Sequence, residues 1–293
     1  MGEISYEIAS LEVNFLPMKA IKSVVVCVCT MLIVFPFASQ GQKFLKNLTK
    51  SDSYYNAGSF SKAQKSLAKF KSSIEKLGAA NTYMPTYYVR EARINLALGT
   101  LDGFETSLNN ALTASVTSFG ETSTSYAMTQ VDVADIYNQY GNYRKSIEFL
   151  RKAKELLTKT NQMNDAIGAQ ISLKEAEALT GQGFGNTALQ ILRNQEKYFL
   201  TRAVEKETIV ENGSIKTKRI PEEELFQRFG DYAKFLTLSA TAYATIGDVD
   251  SAIMTFEHAR TWIKKNQRFM GENSVALAQN NYRYAKTSLE NGG

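Results

Sequence analysis

Two stretches of the chain share one pattern of small, aromatic and bulky residues around a central glycine. Their sequences are VDVADIYNQYGNYRKSIEFLRKAKEL at residues 131–156 and LSATAYATIGDVDSAIMTFEHARTWI at residues 238–263. In each, a small residue precedes the glycine by seven positions and a large apolar residue follows it by nine. Because glycine permits a tight turn and small residues let two helices approach closely, the pattern predicts an antiparallel helix hairpin.

The same pattern recurs along the chain with a period of about 42 residues. The glycines that mark it are Gly58, Gly99, Gly141, Gly183, Gly247 and Gly292. Their successive spacings are 41, 42, 42, 64 and 45 residues, so only the fourth is irregular. The small residues are Ser51, Ala92, Ala134, Ala176, Ala240 and Ala285, and the large ones are Leu67, Leu108, Leu150, Leu192 and Phe256. A fixed period predicts stacked hairpins, each burying its apolar face on the next.

These segments resemble the tetratricopeptide repeat (TPR), in its longer kinesin light chain-like variety and in the type found in secreted bacterial proteins. Phe119-Gly120-Glu121 and Met270-Gly271-Glu272, which open units before a helix, support the longer variety. The resemblance covers about residues 43–293 and implies an all-α fold. That fold is an α-solenoid of TPR helix hairpins, a right-handed superhelix whose concave groove binds peptides or partner helices. We expect five helix pairs and a terminal helix within residues 42–293.

Residues 18–41 have the pattern of a secretory signal peptide. Lys19 and Lys22 precede a fifteen-residue uncharged run, which small residues follow. The run is shorter than the roughly 20 residues that cross a bilayer, which favours cleavage near Gly41 over a transmembrane anchor. Residues 1–17 are interpreted as an extension upstream of the true start. We therefore expect a bacterial protein exported to the periplasm or secreted, with no membrane insertion after signal cleavage.

The composition leaves little material for catalysis. The chain contains one histidine, His258, and two cysteines, both within the predicted signal peptide. Serine triads and zinc sites depend on such residues, so we expect no enzyme activity, no catalytic residue, no metal and no cofactor. Residues 1–41 hold two of the 34 basic and three of the 29 acidic side chains, leaving 32 and 26. Since the lysines are interspersed with glutamates, no nucleic-acid partner is expected.

The surplus in the fourth spacing falls at about residues 201–224, where the helical pattern stops. The residues that flank Asn212-Gly213 at matched distances are Thr208, Val210, Ile215 and Thr217. An Asn-Gly pair in such a setting is typical of a two-residue β-hairpin turn. A flexible charged loop or a lengthened helix pair is the equal alternative.

The first helix of each unit is expected to line the groove with the side turned away from its second helix. Amide and charged side chains on that side can bond to a peptide backbone, although simple solvation is the alternative. The candidate partner-binding residues are Tyr55, Asn56, Arg93, Met128, Val131, Asp135, Asn138, Gln139, Gln170, Glu177, Lys234 and Thr241. The recurring tyrosines Tyr54, Tyr137 and Tyr243 are expected to pack between helices.

The predicted function is a non-enzymatic protein–protein interaction scaffold that binds a peptide or partner protein in the groove. Two alternatives stay open. The sequence stops after the first helix of a unit, so it could be the recruiting or sensory region of a larger secreted or envelope enzyme. A caspase-like protease or kinase domain would then lie beyond residue 293. The chain could also be a structural part of a cell-envelope assembly, with self-association through the C-terminal helix.

Overall fold

A computed structural model of the protein describes residues 45–78, 81–211, 214–270 and 275–290. The predicted signal peptide, the predicted upstream extension and the predicted hairpin turn at Asn212-Gly213 lie outside the described residues. The last repeat glycine, Gly292, lies outside them as well.

Helices make up most of the described chain and confirm the predicted all-α solenoid. In chain order they are α1 (residues 45–56), α2 (Phe60–Ile74), α3 (Met84–Ala97), α4 (Leu101–Phe119), α5 (Thr124–Tyr140), α6 (Tyr143–Lys159), α7 (Asp165–Gly181), α8 (Gly185–Arg202), α9 (Glu222–Thr245), α10 (Val249–Lys265), α11 (Gln267–Met270) and α12 (Val275–Glu290). A short 3-10 helix, Glu75–Leu77, extends α2. Antiparallel pairs form from α1 to α10. We call α1, α3, α5, α7, α9 and α12 the first helices of their units. The second helices are α2, α4, α6, α8 and α10.

The repeat glycines make the turn inside each pair. Gly58, Gly99, Gly141, Gly183 and Gly247 all have φ between 69° and 87°, a region that residues with a Cβ rarely adopt. At Gly141, its own N–H donates to the carbonyl of Asn138 (3.0 Å), and the next N–H donates to that of Tyr137 (2.9 Å). The Asn142 side chain then accepts from the N–H of Lys145, which caps the start of α6. The turn therefore ends one helix and begins the next.

The small and large repeat residues form the core, as the period predicts. Ala134 of α5 and Leu150 of α6 are buried in one cluster, to which Ile171 of α7 also belongs. Burying a leucine side chain stabilises the fold by roughly 1.5–3 kcal/mol. Because each such cluster draws residues from the following unit, every pair is stabilised by its neighbour.

The terminal helix α12 packs on α9 and α10. Asn280 is fully buried there; its amide donates to the carbonyl of Phe256 (3.2 Å), and its oxygen accepts from the hydroxyl of Thr237 (3.1 Å). The ring of Tyr284 lies 5.6 Å from that of Phe256. Ala285 occupies the small-residue position of the repeat, yet it is exposed, because no second helix covers it within the described residues.

A β-hairpin interrupts the helices between α8 and α9. Strands β1 (Lys206–Glu211) and β2 (Ser214–Arg219) pair antiparallel, with Thr208 opposite Thr217. The N–H of Ile220 donates to the carbonyl of Glu205 (3.1 Å), which closes the base of the hairpin. The hairpin prediction is therefore confirmed, and the alternatives of a loop or a lengthened helix pair are wrong.

Candidate partner-binding surface

The accessible positions of α5 form one narrow stripe. Between Ala127 and Asn138, only Met128, Asp132 and Asp135 are not buried. Their spacings of four and three residues place them on one face of a helix with 3.6 residues per turn. The remaining circumference of α5 packs against α3, α4, α6 and α7. This helix can therefore offer a ligand a single row of side chains.

Neighbouring first helices continue this row. They contact one another in sequence, α3 with α5, α5 with α7, α7 with α9, and α9 with α12, whereas the second helices α4, α6 and α8 pack on the first helix of their own unit and on that of the next. The first helices therefore line the inner side of the solenoid. We call their half-buried and exposed row the inner surface. It comprises Asp52, Tyr55, Asn56, Arg90, Arg93, Met128, Asp132, Asp135, Gln139, Gln170, Lys174, Glu177, Gln227, Asp231, Lys234, Thr241, Gln279 and Arg283.

Asp135 joins three first helices through its carboxylate. One oxygen accepts from Nη2 of Arg93 on α3 (3.2 Å), and the other accepts from Nζ of Lys174 on α7 (2.6 Å). Gln139, one turn further along α5, donates to the same carboxylate (3.1 Å). The Asp135 side chain is only 13% exposed, so water screens these contacts weakly.

Similar pairs join the other first helices. Glu177 of α7 accepts from Lys234 of α9 (3.1 Å) and from Arg283 of α12 (2.8 Å). Arg90 of α3 forms two parallel bonds to the Asp52 carboxylate of α1, at 2.8 and 3.0 Å. We call all these pairs, with those of Asp135, the charge ladder. It fixes the inner helices relative to one another.

The ladder controls the protonation of its own members. Burial alone would raise the pKa of Asp135, but the positive charges of Lys174, Lys234 and Arg93 outweigh it and hold that pKa well below its usual range. Burial likewise opposes ionisation of Glu177, and Lys234 and Arg283 lower its pKa. Both carboxylates are therefore charged and already paired at neutral pH.

Asp132 differs from these two carboxylates. It is exposed on the inner surface, and within the described residues it has no hydrogen bond or ion pair. Although the side chain reaches solvent, surrounding protein shields its carboxylate from part of the bulk water and raises its pKa above the ordinary aspartate value, a shift that Lys174 and Arg93 oppose only in part. An N–H group or a cation from a ligand would relieve this cost. Asp132 is thus the inner-surface carboxylate best prepared to accept a ligand.

Two predicted groove residues are corrected by the structure. Val131 is fully buried in the core cluster between α5, α6 and α7, so it does not line an open surface. Asn138 is also buried, and its amide donates to the backbone carbonyl of Lys174 (2.8 Å). The reason is that α5 packs against helices of both neighbouring units as well as its partner α6, which leaves a narrower stripe than a helix covered only by its partner. Met128 stays half-buried against the same cluster.

The other predicted residues lie on the inner surface. Asn56, Gln139 and Gln170 are exposed, whereas the half-buried ones are Tyr55, Arg93, Asp135, Glu177, Lys234 and Thr241. Thr241 accepts from Arg283 at 3.5 Å. Near α1, Tyr55 and Asn56 line a depression of about 210 Å³ together with Arg90 and Arg93. Whether a partner contacts these residues stays a prediction.

Sequence reasoning missed several inner-surface charges, namely Asp52, Arg90, Asp132, Lys174, Asp231 and Arg283. A signal for most of them was present in the repeat register. Arg90, Asp132 and Lys174 each lie nine residues before a repeat glycine. Asp52 lies six residues before one, as does Asp135. Charges at equivalent positions of successive units predict ion pairs between stacked first helices.

The described part of the chain shows no group of three or more His, Cys, Asp or Glu side chains that could hold a metal ion. Within the same residues, no helix combines the length and apolar character needed to cross a bilayer. His258 lies exposed on α10, as expected for a residue on a helix surface.

The architecture is shared with solved TPR-like structures. The chain is similar to a glutamine-to-methionine variant of nearly identical TPR-like repeats from a Podosopora anserina protein of the kinesin light chain type. That match has 16% identity and a TM-score of 0.50, and covers 77% of this chain and 97% of the other. The same repeats without that substitution match at 16% identity and a TM-score of 0.49, with the same coverage.

A third structure, the TPR2AB domain of yeast Sti1 in complex with pHSP90, matches at 15% identity and a TM-score of 0.31. This match covers 85% of this chain and 99% of the other. No protein-family model matches the chain, and a search of curated proteins finds no match. At 16% identity, the match with a TM-score of 0.50 supports the fold alone. The protein is an α-solenoid of TPR-like helix hairpins.

Proposed function

We propose that this protein is a non-catalytic interaction scaffold that binds an extended peptide, or an extended segment of a partner protein, along its inner surface. The observation that carries the proposal is the single accessible stripe of α5, which α7 and α9 continue. A peptide in extended conformation carries unpaired backbone N–H and C=O groups that need partners. A row of amides and charges along successive first helices supplies such partners at regular intervals.

The inner surface contains two kinds of side chain. Some pair with neighbouring helices and stabilise the scaffold, and others are free to contact a ligand. The charge ladder occupies Asp135 and Glu177, so these side chains fix the spacing of the helices before any ligand arrives. Asp132, Gln139 and Gln170 remain exposed beside them. A surface that is rigid before binding loses little conformational freedom on binding, which favours affinity. We assign recognition of the ligand to the exposed group.

The proposal is tested with a triple variant, Asp132→Asn, Gln139→Ala and Gln170→Ala. A partner recovered by pull-down on the unmodified protein should bind this variant at least about tenfold more weakly, because several polar contacts are lost together. The matched control changes amides on the second helices, Asn109, Gln190 and Asn194, which are exposed on α4 and α8. Equal affinity of both variants for the partner would refute binding along the inner surface.

Export is part of the same proposal. It is supported by the residue pattern at 18–41, two lysines followed by an uncharged run and small residues. We expect the chain recovered from the periplasm or medium to begin at Gln42 when its N-terminus is sequenced. Recovery of a chain in the cytoplasm that still begins at Met18 would contradict export.

A further inference from the structure

The hairpin contributes little to the packing of the repeats. Every residue of β2 is exposed, and the Ile215 side chain is 78% exposed. The base is held by two contacts: Ile220 is buried against α9, and Arg228 of α9, itself nearly inaccessible, binds Glu207 of β1. Arg268 also binds Glu205, at 2.5 Å. The hairpin is therefore anchored at one end and offers its strands to solvent.

The register shows which backbone groups of β2 have no partner in β1. Hydrogen-bonded and non-hydrogen-bonded pairs alternate along an antiparallel ladder. Because the Ile220 N–H bonds to Glu205, the pairs Lys206–Arg219, Thr208–Thr217 and Val210–Ile215 are non-hydrogen-bonded. The N–H and C=O groups of Ile215, Thr217 and Arg219 therefore point away from β1, along the open edge of β2.

This open edge is positively charged. Strand β2 carries Lys216, Lys218 and Arg219 and no acidic residue. Arg219 also lies directly opposite Lys206, and like charges in that position destabilise a pair of strands. Neither of these two side chains forms an ion pair within the described residues. Strand β1 adds Glu207, opposite Lys218, and Glu211, so the two strands together carry four basic and two acidic side chains. A second copy would worsen this excess of positive charge, and an acidic strand would neutralise it.

We propose that the open edge of β2 is a docking site for an extended acidic segment of a partner protein, which adds to the hairpin as a third strand. Its backbone would bond to the outward groups of Ile215, Thr217 and Arg219. Glutamate or aspartate side chains would lie beside Lys218 and Arg219. A two-stranded hairpin is marginally stable in water, and a third strand supplies pairing that it lacks. This site is separate from the inner surface.

The test uses the full chain and a labelled synthetic peptide of about eight residues that alternates glutamate with valine and threonine. Fluorescence anisotropy should show saturable binding that weakens at least about tenfold in the double variant Lys218→Glu, Arg219→Glu. Thr217→Pro removes an outward N–H of β2 and leaves every bond to β1 in place. It should weaken binding similarly, whereas Thr208→Pro, the matched change on the opposite edge, should not.

Hairpin integrity is checked independently by slow hydrogen exchange of the Ile220 amide in both proline variants. Equal binding to the two proline variants, or no binding of the peptide to the unmodified protein, would overturn the proposal. The proposal would also be overturned if the protein bound single-stranded DNA more tightly than the acidic peptide and Thr217→Pro did not change the affinity for DNA. That result would indicate a nucleic-acid site. The triple inner-surface variant should bind the acidic peptide normally, so failure of one proposal is distinguishable from failure of the other.

Discussion

The helix pairs and the hairpin gain their stability in opposite ways. Each pair buries its repeat residues against a neighbour, as Leu150 and Phe256 show with 1% and 0% exposure. The hairpin leaves β2 exposed and depends on a few contacts at its base, chiefly through Ile220 and Arg228. The comparison teaches that the repeats provide a rigid frame, whereas the hairpin is free to pair with something else.

The largest effect should come from the core of a pair. Phe256→Ala removes a fully buried ring that packs between α9, α10 and α12, and we expect a loss of about 3–5 kcal/mol in the free energy of unfolding. Urea denaturation measures this loss. Met254, on the same helix but 73% exposed, is the matched control. Met254→Ala should cost less than about 0.5 kcal/mol, and a comparable loss would contradict the assigned helix face.

Mutation of the charge ladder should cause the second-largest loss of stability. Asp135→Asn leaves Arg93 and Lys174 half-buried without their carboxylate, and we expect a loss of about 2 kcal/mol. The exposed pair of Arg151 and Glu155 on α6 is the control. Glu155→Gln should leave the denaturation midpoint unchanged, because water screens exposed ion pairs. If both variants behave alike, the ladder does not stabilise the inner surface.

The ladder also has a pH signature. Since the folded state lowers the pKa of Asp135, its contribution is complete above the pKa of the unfolded chain and is lost as pH falls below about 4. The Asp135→Asn variant should therefore lose less stability than the unmodified protein when pH is lowered from neutral to about 3. The denaturation midpoint of each protein is measured as a function of pH. If the curves of the unmodified protein and the variant run parallel, the neighbours of Asp135 do not hold it in the charged form.

A smaller effect is expected at the turns. Gly141 has φ of 83°, so Gly141→Ala should cost about 1–2 kcal/mol although nothing crowds the added methyl group. Gly168 lies inside α7 and has equal space around it, without a positive φ. Gly168→Ala should stabilise the protein by about 0.5–1 kcal/mol. Thermal denaturation of the two variants should thus shift in opposite directions, and shifts of the same sign would argue against the turn geometry.

The smallest effect should follow removal of the hairpin strands. Glu205 and Ile220 are joined by a 3.1 Å hydrogen bond, so a short Gly-Ser linker can replace residues 206–219. Because Ile220 keeps its place in the core and Arg228 still donates to Glu224 of α9, we expect the unfolding free energy to change by less than about 1 kcal/mol. Circular dichroism during urea denaturation measures it. Loss of helix in the deleted protein would show that the hairpin supports the frame after all.

The repeat pattern alone was enough to predict the frame. Glycine spacing located the turns, and Asn212-Gly213 with its flanking residues predicted the hairpin. The accessible surface was harder to predict, because α7 of the next unit covers Asn138 and, together with α6, Val131. That packing depends on how the helix pairs stack, so it cannot be predicted from the periodicity of a single helix.

The pairing of charges was hard to predict for the same reason. Lys174 and Asp135 lie 39 residues apart, in different units. Their contact depends on the offset between stacked helices, although their positions before the repeat glycines indicate that pairs of this kind exist. The anchor of the hairpin, Arg228, likewise binds a residue 21 positions away across the insertion.

The central claim, an accessible stripe on otherwise buried first helices, is tested most directly by cysteine scanning of α5. The chain after residue 41 has no cysteine, so single replacements can be labelled without interference. Thiol reagents should modify Asp132→Cys and Gln139→Cys rapidly, and should modify Val131→Cys and Ala134→Cys only after denaturation. Uniform reactivity along the helix, or rapid labelling at 131 and 134, would contradict the stacked arrangement and the inner surface that it creates.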